Sequence, residues 1–335
     1  MCRGLFVGCA VLAISCVAHA SDYHASDYKV PRMAEGVPDL QGNWTNVTAT
    51  PMERNSKLGM RRTYTEAEVA AIRKAALDRV AADAAPADPN EEQKAGALPP
   101  VGNYNLFWTE RGDDALEING EYRTSMIIDP PNGRFPPFKA EAMARRMAAR
   151  SGRPKSADGP EGRSLGERCI LSFGSSAGPP MLPTMYNSTY QIVQSPGLVI
   201  FHVEMVHDAR IVRIGGVHPP KAIKKWMGDS IGHWEGDTLV VETTNFRPEQ
   251  SFRGTSENAV ITERLTRASA DKIVYSFTVN DPETFTAPFT GELAFNSYPG
   301  NIYEYACHEG NYGLPGILAG ARHEEALAAK SAALK

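Results

Sequence analysis

From Cys169 onward the sequence falls into short β-prone runs separated by turn signals, and this succession limits the fold more than any other feature. The runs at 190–194, 198–214, 232–246, 260–266 and 272–279 are rich in valine, isoleucine, threonine and aromatic residues, the types that suit a pleated, half-buried surface. Glu235-Gly236-Asp237 breaks the third run into a hairpin, and 268–271 separates the last two. Strands that are short and adjacent in sequence pair mostly antiparallel. Earlier runs at 39–45 and 123–129 and a later one at 302–307 add to the count. The expectation is a mainly β chain of about a dozen strands, an antiparallel β-barrel or sandwich with about three covering helices.

The first of those helices has a complete start signal. Thr65 can cap the first turn while Glu68 reaches back to it, and Tyr64 can meet Val69 across the cap. Val69, Ile72, Ala76, Leu77 and Val80 then form one apolar stripe, which predicts a helix that packs on the sheet and does no chemistry. A second helix is expected over 139–150. A third is expected over 314–334, with Ile317, Leu318, Ala321 and Leu327 available to pack. Residues 84–100 are rich in Ala, Pro, Asp and Glu without periodicity and read as a loop or linker.

Residues 1–20 carry Arg3, an apolar run from Leu5 to Val17 and Ala18-His19-Ala20, the three-part plan of a secretory signal. The expected organisation is a signal at 1–20, a flexible leader at 21–36 and one β-rich domain over 37–335. The apolar run is too short to span a bilayer, and no later segment approaches the length a span needs. Loss of Arg3 with the signal leaves 34 Lys+Arg against 39 Asp+Glu, a balance that does not favour nucleic acid. Three of the five cysteines lie within the signal, leaving Cys169 and Cys307. In the oxidising space outside the cytoplasm these read either as one disulfide or as two separate buried thiols.

Several blocks extend this reading. Asp39-Leu40-Gln41-Gly42, Arg123-Thr124-Ser125, Asp129-Pro130-Pro131-Asn132-Gly133-Arg134, Met205-Val206-His207-Asp208-Ala209-Arg210, Gly232-His233-Trp234-Glu235-Gly236-Asp237-Thr238-Leu239-Val240-Val241 and Tyr303-Glu304-Tyr305-Ala306-Cys307-His308-Glu309-Gly310-Asn311-Tyr312 occur in that order. With them the chain resembles a family of uncharacterised exported bacterial β-rich proteins, and the resemblance spans nearly the whole mature chain. It implies export and one compact unit, and carries over no activity or site residue. Separately, Gly42-Asn43-Trp44 is similar to the Gly-x-Trp opening of lipocalin-type barrels, which implies a lipocalin-like form of the barrel.

The ionisable groups concentrate between 201 and 213. Read as one strand, alternation puts His202, Glu204, Asp208 and Arg210 on one side and Phe201, Val203, Met205, His207 and Ile211 on the other. His207 then stands on the apolar side, where burial shifts its proton affinity. With His233 and His308 it supplies imidazoles that titrate near neutrality and that Glu204 or Asp208 can orient. The catalytic candidates are therefore His207, Asp208, Glu204, His233 and His308. Arg210 and Arg123 could hold a ligand carboxylate, and Tyr186, Tyr305 and Asn311 could line a pocket for a small, partly aromatic molecule.

Three functions follow from this set. The first is a periplasmic or secreted acid–base enzyme, a lyase, isomerase or hydrolase working on a small molecule without an organic cofactor. The second is a small-molecule binding protein with the same pocket. The third is a hydrolase holding zinc or another divalent metal on His207, His233 and His308, although no His-Glu-x-x-His spacing supports it. Gly174-Ser175-Ser176-Ala177-Gly178 fits a nucleophile elbow, but Pro179-Pro180 follows where that mechanism needs a helix. Neither a phosphate-binding loop nor a dinucleotide fingerprint is present.

Overall fold

Alternation along each β run directs one row of side chains inward, and in the computed structural model nine strands close around those rows as a barrel. The structure describes residues 28–83, 110, 112–151, 157–172, 178–184, 186–249 and 252–333. The expected signal, the loop at 84–100 and the serines of the Gly-x-Ser-x-Gly pattern lie outside these residues.

The strands are β1 (Gly42–Thr45), β2 (Glu117–Ile118), β3 (Glu121–Tyr122), β4 (Ile127–Asp129), β5 (Thr189–Ser195), β6 (Leu198–Val203), β7 (Ala209–Ile214), β8 (Asp229–Glu235), β9 (Thr238–Thr244), β10 (Val260–Arg267), β11 (Lys272–Asn280) and β12 (Phe289–Ser297). The barrel runs from β1 through β5 to β12 in sequence order and closes where β12 pairs back onto β1, with β4 as an extra partner of β12. Every pairing is antiparallel except β7 with β8. Of the two expected architectures the barrel is the one found. The parallel pair makes it mixed, unlike a strict up-and-down barrel.

Inside, Trp44, Tyr190, Phe201, Tyr275, Phe277, Phe289 and Phe295 fill the lumen. Phe295 meets the edges of Tyr190 and Tyr275 at 4.9 and 5.3 Å. The Trp44 indole donates to the Leu40 carbonyl at 3.0 Å, fixing the first strand. Gly236 adopts φ +57 in the hairpin between β8 and β9, a conformation that costs glycine little and a side chain more.

The three helices are α1 (Glu66–Asp83), α2 (Ala140–Ser151) and α3 (Gly313–Ala333). Thr65 and Glu68 form the expected reciprocal cap, the Thr65 amide donating to Glu68 at 2.8 Å and the Glu68 amide to the Thr65 hydroxyl at 3.3 Å. The predicted stripe is only half used. Val69 and Ala76 are buried, whereas Leu77 and Val80 are 70% and 63% exposed and line a cleft with Thr45 of β1 and Asn296 of β12. Helix α3 also departs from expectation. None of its residues is buried, and Ile317 and Leu327 remain exposed.

One further expectation is corrected. Residues 302–307 are not a strand; the last strand is β12, which the sequence reading missed, and its edges are already occupied by β11, β1 and β4. In the part of the leader that the structure describes, Arg32 reaches Asp237 in the β8–β9 hairpin at 2.5 Å. Among the described residues no helix is long and apolar enough to cross a membrane.

Candidate functional site at the β6–β7 turn

The run from 198 to 214 is two strands joined by a tight turn, and that one difference relocates most of the expected site. Strand β6 ends at Val203, residues 205–207 form a short helical turn, and β7 begins at Ala209. The turn uses no glycine. Val206 and His207 themselves take left-handed conformations, with φ of 59° and 45°. For a β-branched residue this is a strained state of the kind that gathers at functional sites.

Counting by twos therefore loses phase at Glu204. His207, expected on the apolar side, is exposed, and Ile211 is exposed as well, whereas Arg210 turns into the lumen and is buried. The same turn sets Glu204 and Asp208 side by side in sequence but in different surroundings. Glu204 is buried and accepts from the Tyr303 amide at 3.2 Å. Asp208 is half-buried. One of its carboxylate oxygens has no partner among the described residues, and the group accepts from the Ser172 amide. Burial pushes Asp208 up to about 7, against the opposing pull of that amide and of His207.

The remaining candidates are dispersed. His233 sits on the outer face of β8, bonded to Glu235 at 3.0 Å. His308 is exposed in the segment after β12, its carbonyl accepting from the Asn311 amide. Among the described residues no three His, Cys, Asp or Glu side chains are grouped to hold a metal, so His207, His233 and His308 do not form the ligand set considered above.

Both arginines proposed to grip a ligand are spent on structure. Arg123 is buried against Glu292 at 3.2 Å and also bonds Glu121. Arg210 spans the lumen to Glu263 through both terminal nitrogens, and Tyr275 donates to the same carboxylate at 2.8 Å. Burial alone would lower the guanidinium, but the Glu263 charge and its bonds hold it raised. Burial raises Tyr275 well above its ordinary range, and the Glu263 charge adds to the effect. The Met181 amide donates to the Tyr275 hydroxyl at 2.9 Å, which ties the segment 178–184 into this end of the barrel.

Three candidates do meet in space. Tyr186 and Tyr305 stack with centroids 6.5 Å apart, and burial together with Tyr186 pushes Tyr305 up to about 12. Tyr305 and Asn311 border a 330 Å³ cleft over the disulfide between Cys169 and Cys307. Asn311 donates to the Glu167 carbonyl at 2.8 Å and accepts from the Leu314 amide at 3.3 Å, so it anchors the start of α3.

Other charged groups here were not anticipated. Glu110 is half-buried and accepts from the Ser188 amide at 2.9 Å, at the same barrel end as the turn. Burial raises it, and the charge of Glu204 raises it further. On the outer wall the Asp229 side chain, fully buried, binds Arg213, Lys225 and His218; burial would raise it, but these three bonds hold it low. The two lumenal charges had a readable signal. Glu263 lies in phase with Ile261 and Leu265, and Arg210 in phase with Val212, so each is a charge on the inward row.

The fold and site thus define a closed mixed β-barrel whose β6–β7 turn carries two carboxylates at one end. Comparison with protein-family models, curated proteins and solved structures finds no match to the chain.

Proposed function

We propose that this protein is an exported, cofactor-independent acid–base enzyme that moves a proton on a small molecule at the β6–β7 end of the barrel. The observation that carries the reading is Asp208, a half-buried carboxyl with an unpartnered oxygen among the described residues, held by a strained turn and poised about 7. A carboxyl so tuned can hold a proton at neutral pH and give it up, as a general acid or base must. His207, next to it and solvent-exposed, is the exchange partner, and the Tyr186–Tyr305 pair offers an aromatic wall nearby in the fold. The signal-like leader and the disulfide support an oxidising compartment outside the cytoplasm.

The test compares purified wild type with Asp208→Asn, each incubated with a small-molecule extract and profiled by mass spectrometry. Wild type alone should convert a compound to a new species. If both proteins instead retain the same unaltered compound, a second reading, non-catalytic binding, takes its place; the clefts of 330 and 490 Å³ favour it.

The same residue makes a stability prediction. Its folded value near 7 lies above the ordinary 3.8, so between those limits the folded protein holds a proton that the unfolded chain has released. Stability must then fall as pH rises through that window. The full shift would correspond to about 4 kcal/mol, and partial exposure reduces this to about 2 kcal/mol. Denaturant titrations at about pH 5 and about pH 8 span roughly 60% of that window and should show about 1 kcal/mol of this component in wild type and none in Asp208→Asn. Parallel curves for the two proteins would exclude a neutral buried carboxyl.

A further inference from the structure

The outward half of α1 and the end of the barrel enclose a 490 Å³ cleft. Leu77 and Val80, the residues that the apolar stripe predicted to be buried, line it with Ala76, and Glu110 and Tyr298 also contribute to its lining. Its volume falls within the range of small-molecule sites. The lining pairs an apolar helix face with one half-buried carboxyl: Leu77 and Val80 are 70% and 63% exposed, and among the described residues Glu110 receives one amide bond, from Ser188.

We propose that this cleft binds a small organic amine, its apolar body against Leu77 and Val80 and its ammonium on Glu110. The charge around Glu110 selects the sign of the ligand. Glu204, buried at the β6–β7 turn, repels the Glu110 carboxylate and so disfavours its ionised form. A bound cation relieves that repulsion and compensates the burial of Glu110 together, whereas a carboxylate ligand would add a third negative charge. At the rim Asp113 and Arg79 carry opposite charges and leave this preference in place. Tyr298 offers an aromatic ring, a surface that also attracts cations. Asp208 does not line this cleft, so Asp208→Asn should leave amine binding intact.

Calorimetric titration of the full chain with 2-phenylethylamine, 2-phenylethanol and 3-phenylpropionate tests the assignment. The amine should bind about ten-fold more tightly than the alcohol, and the carboxylate should bind weakest. Glu110→Gln, which keeps an oxygen for the Ser188 amide, should weaken the amine about ten-fold and leave the alcohol unchanged. Leu77→Arg alters a residue that is 70% exposed and therefore should not unfold the chain; it should weaken the amine by charge and crowding. The proposal is overturned if no amine binding occurs, if the carboxylate binds as well as the amine, or if both variants keep the wild-type affinity.

Discussion

Replacing Glu263 with Ala should cost about 3–5 kcal/mol of stability, because it strands the Arg210 guanidinium in a lumen that water does not reach. Arg210 and Glu263 have side chains that are 2% and 0% exposed, and they come from strands that are not neighbours, β7 and β10. Phe201 lies under the guanidinium with its centroid 5.0 Å away, and the carboxylate also serves the Tyr275 hydroxyl. Removing the acid therefore leaves a full charge and a phenol without their partner, and both losses are desolvation costs that packing cannot recover. The double replacement Arg210→Met with Glu263→Leu removes both charges and should fall within about 1 kcal/mol of wild type. Urea unfolding of the single and double variants measures both, provided the slope with denaturant stays constant. If the single variant loses less than about 1 kcal/mol, the pair is not desolvated and its role as a lumen-spanning tie is refuted.

That pair also shows what the sequence discloses and what it hides. The inward rows of β10 and β11 follow directly from alternation, and the hairpin at Gly236 from a turn signal. The reciprocal cap of Thr65 and Glu68 forms as its spacing implies. Strand β12 was hidden because Gly291 and Glu292 interrupt its apolar pattern; Glu292 is tolerated there because Arg123 meets it. Residues 302–307 alternate like a strand, yet a strand needs an open edge to pair with, and the barrel is closed.

The candidate site was legible in composition and not in placement. The turn after Val203 has no glycine, proline or asparagine to announce it, and its left-handed positions belong to Val206 and His207. A period-two count passed through it unbroken and exchanged the faces of Arg210 and Ile211. Histidine is a residue type that titrates near neutrality, but sequence proximity to acids does not bring three of them together, and His207, His233 and His308 stand on separate elements. Among the described residues the carboxyls that the fold raises are Asp208 and Glu110, whose shifts come from burial and neighbours that only the folded chain supplies.

Cys307→Ser should lower stability by up to about 5 kcal/mol, the chain-entropy value for a bridge closing a loop of this length. The bonded cysteines are 138 positions apart, so the bridge excludes a large share of the unfolded chain's conformations. Its local effect should be as marked as its global one. After β12 the chain crosses the β6–β7 end of the barrel without strand pairing, held by the Asn43 side-chain amide on the Gly300 carbonyl, the Tyr303 amide on Glu204, the Tyr305 ring on Tyr186, Asn311 on Glu167, Arg322 on the carbonyls of Ala157 and Asp158, and the disulfide. Helix α3 beyond it buries no residue and contributes little of its own. Without the covalent tie these few contacts must hold the segment alone, and a region with so little buried surface opens at low free energy. Hydrogen exchange in Cys307→Ser should therefore accelerate most across residues 303–320, ahead of β10 and β11, and limited proteolysis should remove α3 first. Because Tyr303 also bonds Glu204, loosening the segment should open the back of the Glu110 cleft. Amine affinity should then fall in this variant while the barrel remains folded at low denaturant, and unchanged exchange in 303–320 would show that the noncovalent contacts suffice.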